Sequence, residues 1–139
     1  MNTYQHTQPG TVIVVTVSAV CVLFAIAAIF VHLLVISALL MGITAWLFRS
    51  LTIEISETRL IWFFGSGWPR KSVPLSEIAS VEPIRTGFLN GWGIHYTSRG
   101  WLYNVSGYGA VAIKLRNGKQ FCLGTDQPQE LAAFLSRQA

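Results

Sequence analysis

One stretch constrains this chain more than any other. From Thr11 to Phe48 there are 38 consecutive residues without a formally charged side chain. Only Thr11, Thr16, Ser18, His32, Ser37, Gly42 and Thr44 there are not plainly apolar. As one helix this run would extend about 57 Å, roughly twice the thickness of bilayer hydrocarbon, so it reads as two helices joined by a tight turn. The turn is placed near Phe30 to Leu33, where His32 would sit at the far interface rather than in hydrocarbon. Trp46 and Arg49 follow as anchors at the near interface. The run is too long, and Met1 to Gly10 too poor in Lys and Arg, for a cleaved secretory signal.

Charge is segregated accordingly. All ten Lys and Arg residues lie at or after Arg49, and all six acids at or after Glu54. Across the whole chain 52% of residues are hydrophobic and 12% charged, against about 25% charged in an ordinary soluble domain. Arg49, Arg59, Arg70 and Lys71 flank the apolar run while its expected turn has no cation. The positive-inside rule then predicts a multi-pass protein of the cytoplasmic (inner) membrane with both termini in the cytoplasm. The expected divisions are a tail over residues 1–10, a two-helix transmembrane hairpin over 11–48 and a β-domain over 50–139.

The β-domain is marked by turns, with ten of the twelve glycines and four of the five prolines. Leu51, Ile53 and Ile55 alternate with Thr52, Glu54 and Ser56, the pattern of a strand with one buried face. A tight turn at Glu57-Thr58 leads to a returning strand over Arg59–Phe64, which Gly65-Ser66-Gly67-Trp68-Pro69 ends. Further strands are expected over Arg70–Pro74, Ala79–Arg85, Gly93–Thr97, Trp101–Val105, Ala110–Leu115 and Gln120–Leu123. Asn117-Gly118 predicts a type I′ turn in the last hairpin. Asp126 with Gln129 reads as a capping box for a closing helix, with Pro128 in its first turn and Leu131, Phe134 and Leu135 on one face. The expected fold is a transmembrane α-helical hairpin followed by an antiparallel β-barrel of about seven strands, capped by one C-terminal helix.

Three segments carry a family resemblance: Gly91-Trp92-Gly93-Ile94-His95, then Arg99 through Gly107 (Arg-Gly-Trp-Leu-Tyr-Asn-Val-Ser-Gly), then Gly124-Thr125-Asp126. With the order of elements, they resemble small bacterial membrane proteins bearing a PH-like (pleckstrin-homology-like) domain. The family commonly has Arg at the position of His95 and Glu at that of Ala112; both departures remove charge. The resemblance implies a PH-like barrel and a binding role, without an activity attached to the fold itself.

Candidate sites follow from residue chemistry. Trp46, Arg49, Trp68, Arg70 and Lys71 combine aromatics with cations and suit an anionic lipid interface. The first hairpin has only Arg59 beside Glu54 and Glu57, too few converging donors for inositol phosphates. Trp92, Trp101, Tyr103 and Tyr108 could line a groove for a partner peptide or build the core, and an open edge strand could dock a partner through main-chain hydrogen bonds. His6, His32 and His95 are isolated, and the sequence carries no metalloprotease, nucleophile-elbow, dinucleotide or phosphate-loop motif. Cys21 and Cys122 match neither a metal nor a disulfide framework. Neither a cofactor nor a metal is expected. The +3 charge of residues 50–139 is scattered, which argues against nucleic acid.

The resulting expectation is a non-enzymatic, membrane-anchored interaction module presenting its domain to a protein partner, with possible self-association through the hairpin. Its alternatives are an anionic-lipid sensor and an accessory subunit of a larger membrane complex.

Overall fold

A computed structural model describes residues 3–28, 31 and 33–138. The chain opens with a strand, β1 (Tyr4–Pro9), in the segment expected to be a tail, and then runs through helices α1 (Thr11–Ala28) and α2 (Leu33–Leu47). Eight more strands follow: β2 (Ser50–Ile55), β3 (Arg59–Phe64), β4 (Arg70–Pro74), β5 (Ile78–Arg85), β6 (Gly93–Thr97), β7 (Gly100–Asn104), β8 (Gly109–Leu115) and β9 (Gln120–Gly124). Helix α3 (Pro128–Gln138) ends the order.

The strands form two sheets rather than a closed barrel. The first is an antiparallel meander in the order β1-β2-β3-β4, and the second has the order β5-β8-β9-β7-β6. Strand β9 inserts between β7 and β8, antiparallel to β8 but parallel to β7, with Trp101 opposite Phe121 and Tyr103 opposite Leu123. A barrel of sequential antiparallel strands is thereby ruled out. The strands β1, β4, β5 and β6 remain edges among the described residues.

Alternation explains the core. Leu51, Ile53 and Ile55 of β2 and Leu60, Trp62 and Phe64 of β3 point at the second sheet, whose Tyr103, Val111, Ile113, Phe121 and Leu123 meet them. Thr52 is also buried, because β1 covers it and Thr7 Oγ1 lies 2.7 Å from its hydroxyl. Helix α3 seats Leu131, Ala132 and Leu135 in the same core and lies against β5 and β8. Its start differs from the expected box: Gln127 N–H donates to Thr125 Oγ1 at 3.1 Å, while Asp126 turns to His6 Nε2 at 2.6 Å. The Asn117-Gly118 turn differs too. Gly118 has φ +86° but no non-glycine residue has positive φ among the described residues, so this is not a type I′ turn.

The helical hairpin is an insertion in this sandwich. Pro9 pairs with Ser50, and Gly10 N–H donates to Arg49 C=O at 2.5 Å, so α1 and α2 leave and re-enter between adjacent strands. The two helices pack on each other, with Cys21 Sγ donating to Ala38 C=O at 3.0 Å. At the base, Phe48 packs on Phe64 with ring centroids 4.9 Å apart. Gly65, with φ +49°, lets the β3–β4 turn approach so closely that a Cβ there would lie 2.6 Å from Leu47 C=O.

The transmembrane reading is corrected by these helices. The 18 residues of α1 and 15 of α2 rise about 27 Å and about 23 Å, short of the roughly 30 Å of bilayer hydrocarbon. Among the described residues no helix is long and apolar enough to cross a membrane. The expected transmembrane hairpin, the membrane assignment and the multi-pass inner-membrane location therefore do not hold. Of the turn expected near Phe30 to Leu33, residues 30 and 32 fall outside the described residues. The hairpin's surface is nevertheless apolar all round: Val22, Leu23 and Ile26 of α1 and Leu33, Ile36, Leu39, Leu40 and Trp46 of α2 are exposed, and α2 has no buried residue.

Candidate functional site: an aromatic cleft beside a free strand edge

The first sheet is one strand narrower than the second, and the consequence lies beside β4. A cleft of about 750 Å³ opens there, bounded by β4, by the β6–β7 hairpin and by the β8–β9 turn. That volume is in the range of ligand sites. Its floor is Trp62, stacked on Phe121 at 4.8 Å and edge-on to Tyr103 at 5.4 Å. Its far wall is Trp101 with Tyr96, cross-strand partners whose rings meet edge-on at 5.4 Å. These two stay 49% and 75% exposed because the first sheet does not extend over them.

Charged groups in the cleft have one sign. Lys71, Arg99 and Lys119 line it, and no Asp or Glu does among the described residues. Arg99 Nη1 is held by Glu82 at 3.2 Å, outside the cleft, which leaves Lys71 and Lys119 as its cations without an ion pair among the described residues. Lys71 is the cross-strand partner of Trp62 and so shares its face, whereas Arg70 partners Phe63 and lies over that ring at 4.6 Å on the opposite face. The indole N–H of Trp62 is buried with no hydrogen-bond partner among the described residues. Such a donor carries a desolvation cost of about 1–3 kcal/mol until an acceptor reaches it.

Burial pushes the Tyr103 phenol above its ordinary value. The Tyr4 phenol is raised as well, by burial first and then by Glu130 and Asp126. A raised folded-state value favours the protonated phenol. The associated stability is therefore intact below the ordinary value of 10.0 and is lost as pH rises through the raised one. Thermal melts between about pH 8 and about pH 11 should show the midpoint falling at the alkaline end, less steeply in Tyr103→Phe. An unchanged slope in that variant would remove Tyr103 from the account. Burial likewise raises the Cys122 thiol, with Arg99 opposing it.

The expected site residues are thus redistributed. Trp101, Tyr103 and Lys71 converge on the cleft. Tyr108 lines a separate cleft of about 520 Å³ with Gln8, Arg85 and Asp126. Trp92 lies edge-on to Phe88 at 6.4 Å, and its backbone carbonyl contacts His95 Nε2. Of the lipid-interface set, Arg49 lies over Trp46 at 5.8 Å at the hairpin base and Trp68 is exposed on the β3–β4 turn. Arg70 and Lys71 point to opposite faces of one strand, so they do not form a single cationic patch.

Sequence reasoning missed Trp62, Tyr96, Phe121 and Lys119. The signal for Tyr96 was present, since a two-residue Ser98-Arg99 loop places it opposite Trp101. Trp62 and Phe121 come from different sheets, and no local pattern joins them. Among the described residues no group of three or more His, Cys, Asp or Glu side chains could hold a metal ion. No protein-family model, curated protein or solved structure matches the chain.

Proposed function

We propose that this protein is a non-enzymatic interaction module that captures a segment of a partner protein in the cleft beside β4. The observation that carries this reading is the half-covered pair Trp101 and Tyr96, lying next to a strand edge without a partner. Large aromatics left partly exposed around a fully buried one are the usual composition of a protein-binding hot spot.

The test is a random-peptide display selection against the whole chain, held in mild detergent to cover the apolar hairpin, followed by counter-screening on Trp101→Ala and Tyr96→Ala. Enriched peptides should lose tenfold or more in affinity on either variant, since each removes a central aromatic contact. Failure to enrich any peptide whose binding depends on these two residues would overturn the reading.

A further inference from the structure

The geometry points to the form and chemistry of that partner: we infer that the cleft takes an extended, acidic segment that adds as a fifth strand to β4. This inference rests on the interaction-module reading above and concerns the same site.

Hydrogen-bond parity on β4 supplies the first step. Phe64 N–H donates to Pro69 C=O at 3.2 Å and Leu75 N–H to Thr58 C=O at 2.9 Å, which fixes the bonded pairs at the two ends of the β3–β4 ladder. In an antiparallel pair, bonded and non-bonded residue pairs alternate. Lys71 and Val73, opposite Trp62 and Leu60, therefore bond inward to β3. Arg70 and Ser72, opposite Phe63 and Ile61, direct N–H and C=O to the free edge. That edge is a template for a further strand.

The cleft decides where such a strand lies and what it carries. The space next to Lys71, Ser72 and Val73 is the same space that Trp101 and Tyr96 border. A fifth strand would cover both rings and bring the first sheet to the width of the second. Charge then selects the occupant. Lys71 points inward from an edge strand, an arrangement that disfavours uninvited apolar strands. An acidic side chain at the matching position satisfies Lys71, and Lys119 lies on the same rim. A basic segment would meet like charges in a cleft that no Asp or Glu lines among the described residues.

The experiment uses an acetylated, amidated peptide of alternating Glu and Val, its Lys-for-Glu counterpart, and an N-methylated Glu form that cannot pair as a strand. Each is titrated into the whole chain in mild detergent, read by tryptophan emission and by amide exchange at Arg70 and Ser72. The Glu peptide should bind at least tenfold tighter than the other two, weaken with salt and protect both amides. Ser72→Pro removes an N–H that β3 does not use and should cost tenfold or more in affinity while the fold persists. Should that variant unfold, the N-methylated peptide makes the same test on the unaltered chain. Equal affinity for the Glu and Lys peptides would overturn the acidic assignment. Tight N-methylated binding that Trp101→Ala still abolishes would overturn strand addition and leave the cleft as the site. Binding that Trp101→Ala does not affect would overturn both this inference and the reading beneath it.

Discussion

Replacing residues 11–48 by Asn-Gly is expected to leave a folded, monodisperse β-sandwich that needs no detergent, whereas the whole chain self-associates without it. The basis is the register at the hairpin base. Gly10 N–H donates to Arg49 C=O, so the excision leaves a hydrogen-bonded antiparallel pair to be closed by the two-residue turn that such pairs favour. Two energetic terms oppose each other. Phe48 no longer packs on Phe64, which costs about 1–2 kcal/mol for a partly buried ring. Closing β1 on β2 through two residues instead of about forty recovers at most about 2.5 kcal/mol, at about 0.6 kcal/mol per doubling of loop length. Stability should therefore change by less than about 2 kcal/mol, while the large solvent-facing apolar surface of α1 and α2 is removed outright. Size-exclusion chromatography and thermal melts of the two proteins make the comparison. An excised chain that fails to melt cooperatively would show that β1–β2 pairing depends on the helices, and a whole chain monodisperse without detergent would show that the hairpin is not an association surface.

Local pattern was enough to locate most strands and not enough to arrange them. Arg59–Phe64, Arg70–Pro74 and Gly93–Thr97 have the boundaries that alternation and breakers imply, because each is a short strand bounded by Gly, Pro or a charged turn. β1 escaped notice because Tyr4-Gln5-His6-Thr7-Gln8-Pro9 has no apolar alternation. It is a strand through its pairing with β2, through Thr7 on Thr52, Gln5 on Glu54 and Tyr4 on Gln127 of the distant C-terminal segment. The parallel placement of β9 beside β7 is equally non-local, since period-two alternation reads the same whichever neighbour a strand takes.

The membrane reading failed at a different step. Composition identified an apolar, charge-free run correctly, but the step to a span depended on helix length, and α1 and α2 are each too short. At the cleft, Trp101, Tyr103 and Lys71 were legible as aromatic and cationic candidates. Their convergence was not, because it depends on two sheets of unequal width meeting at β4. Arg70 and Lys71, adjacent in sequence, were read as one unit, yet neighbouring residues of a strand face opposite ways.

Gly100→Ala is expected to destabilise the protein by about 3 kcal/mol or more and to abolish peptide binding at temperatures where the wild-type chain is intact. Gly100 has φ +87°, a conformation that costs a residue with a side chain about 1–3 kcal/mol. The contact is more severe than the backbone strain. A Cβ at this position would fall 1.8 Å from Gln120 C=O and 2.8 Å from its carbonyl carbon, both main-chain atoms that no rotamer change can move. The start of β9 would have to shift away from β7, opening the parallel ladder that sets Trp101 opposite Phe121. Overpacking of this kind adds about 1–3 kcal/mol. The same shift separates the cleft's floor from its wall, because Phe121 stacks on Trp62 while Trp101 carries Tyr96. Gly67, with φ +121° but open space around the missing Cβ, is the matched control: alanine there meets only the backbone term and lies away from β9. Urea unfolding should therefore rank Gly100→Ala well below Gly67→Ala, with cleft binding lost only in the former. Equal stabilities would show that the β7–β9 junction yields to an extra methyl group, and that the cleft is not held by the close approach of Gly100 to Gln120.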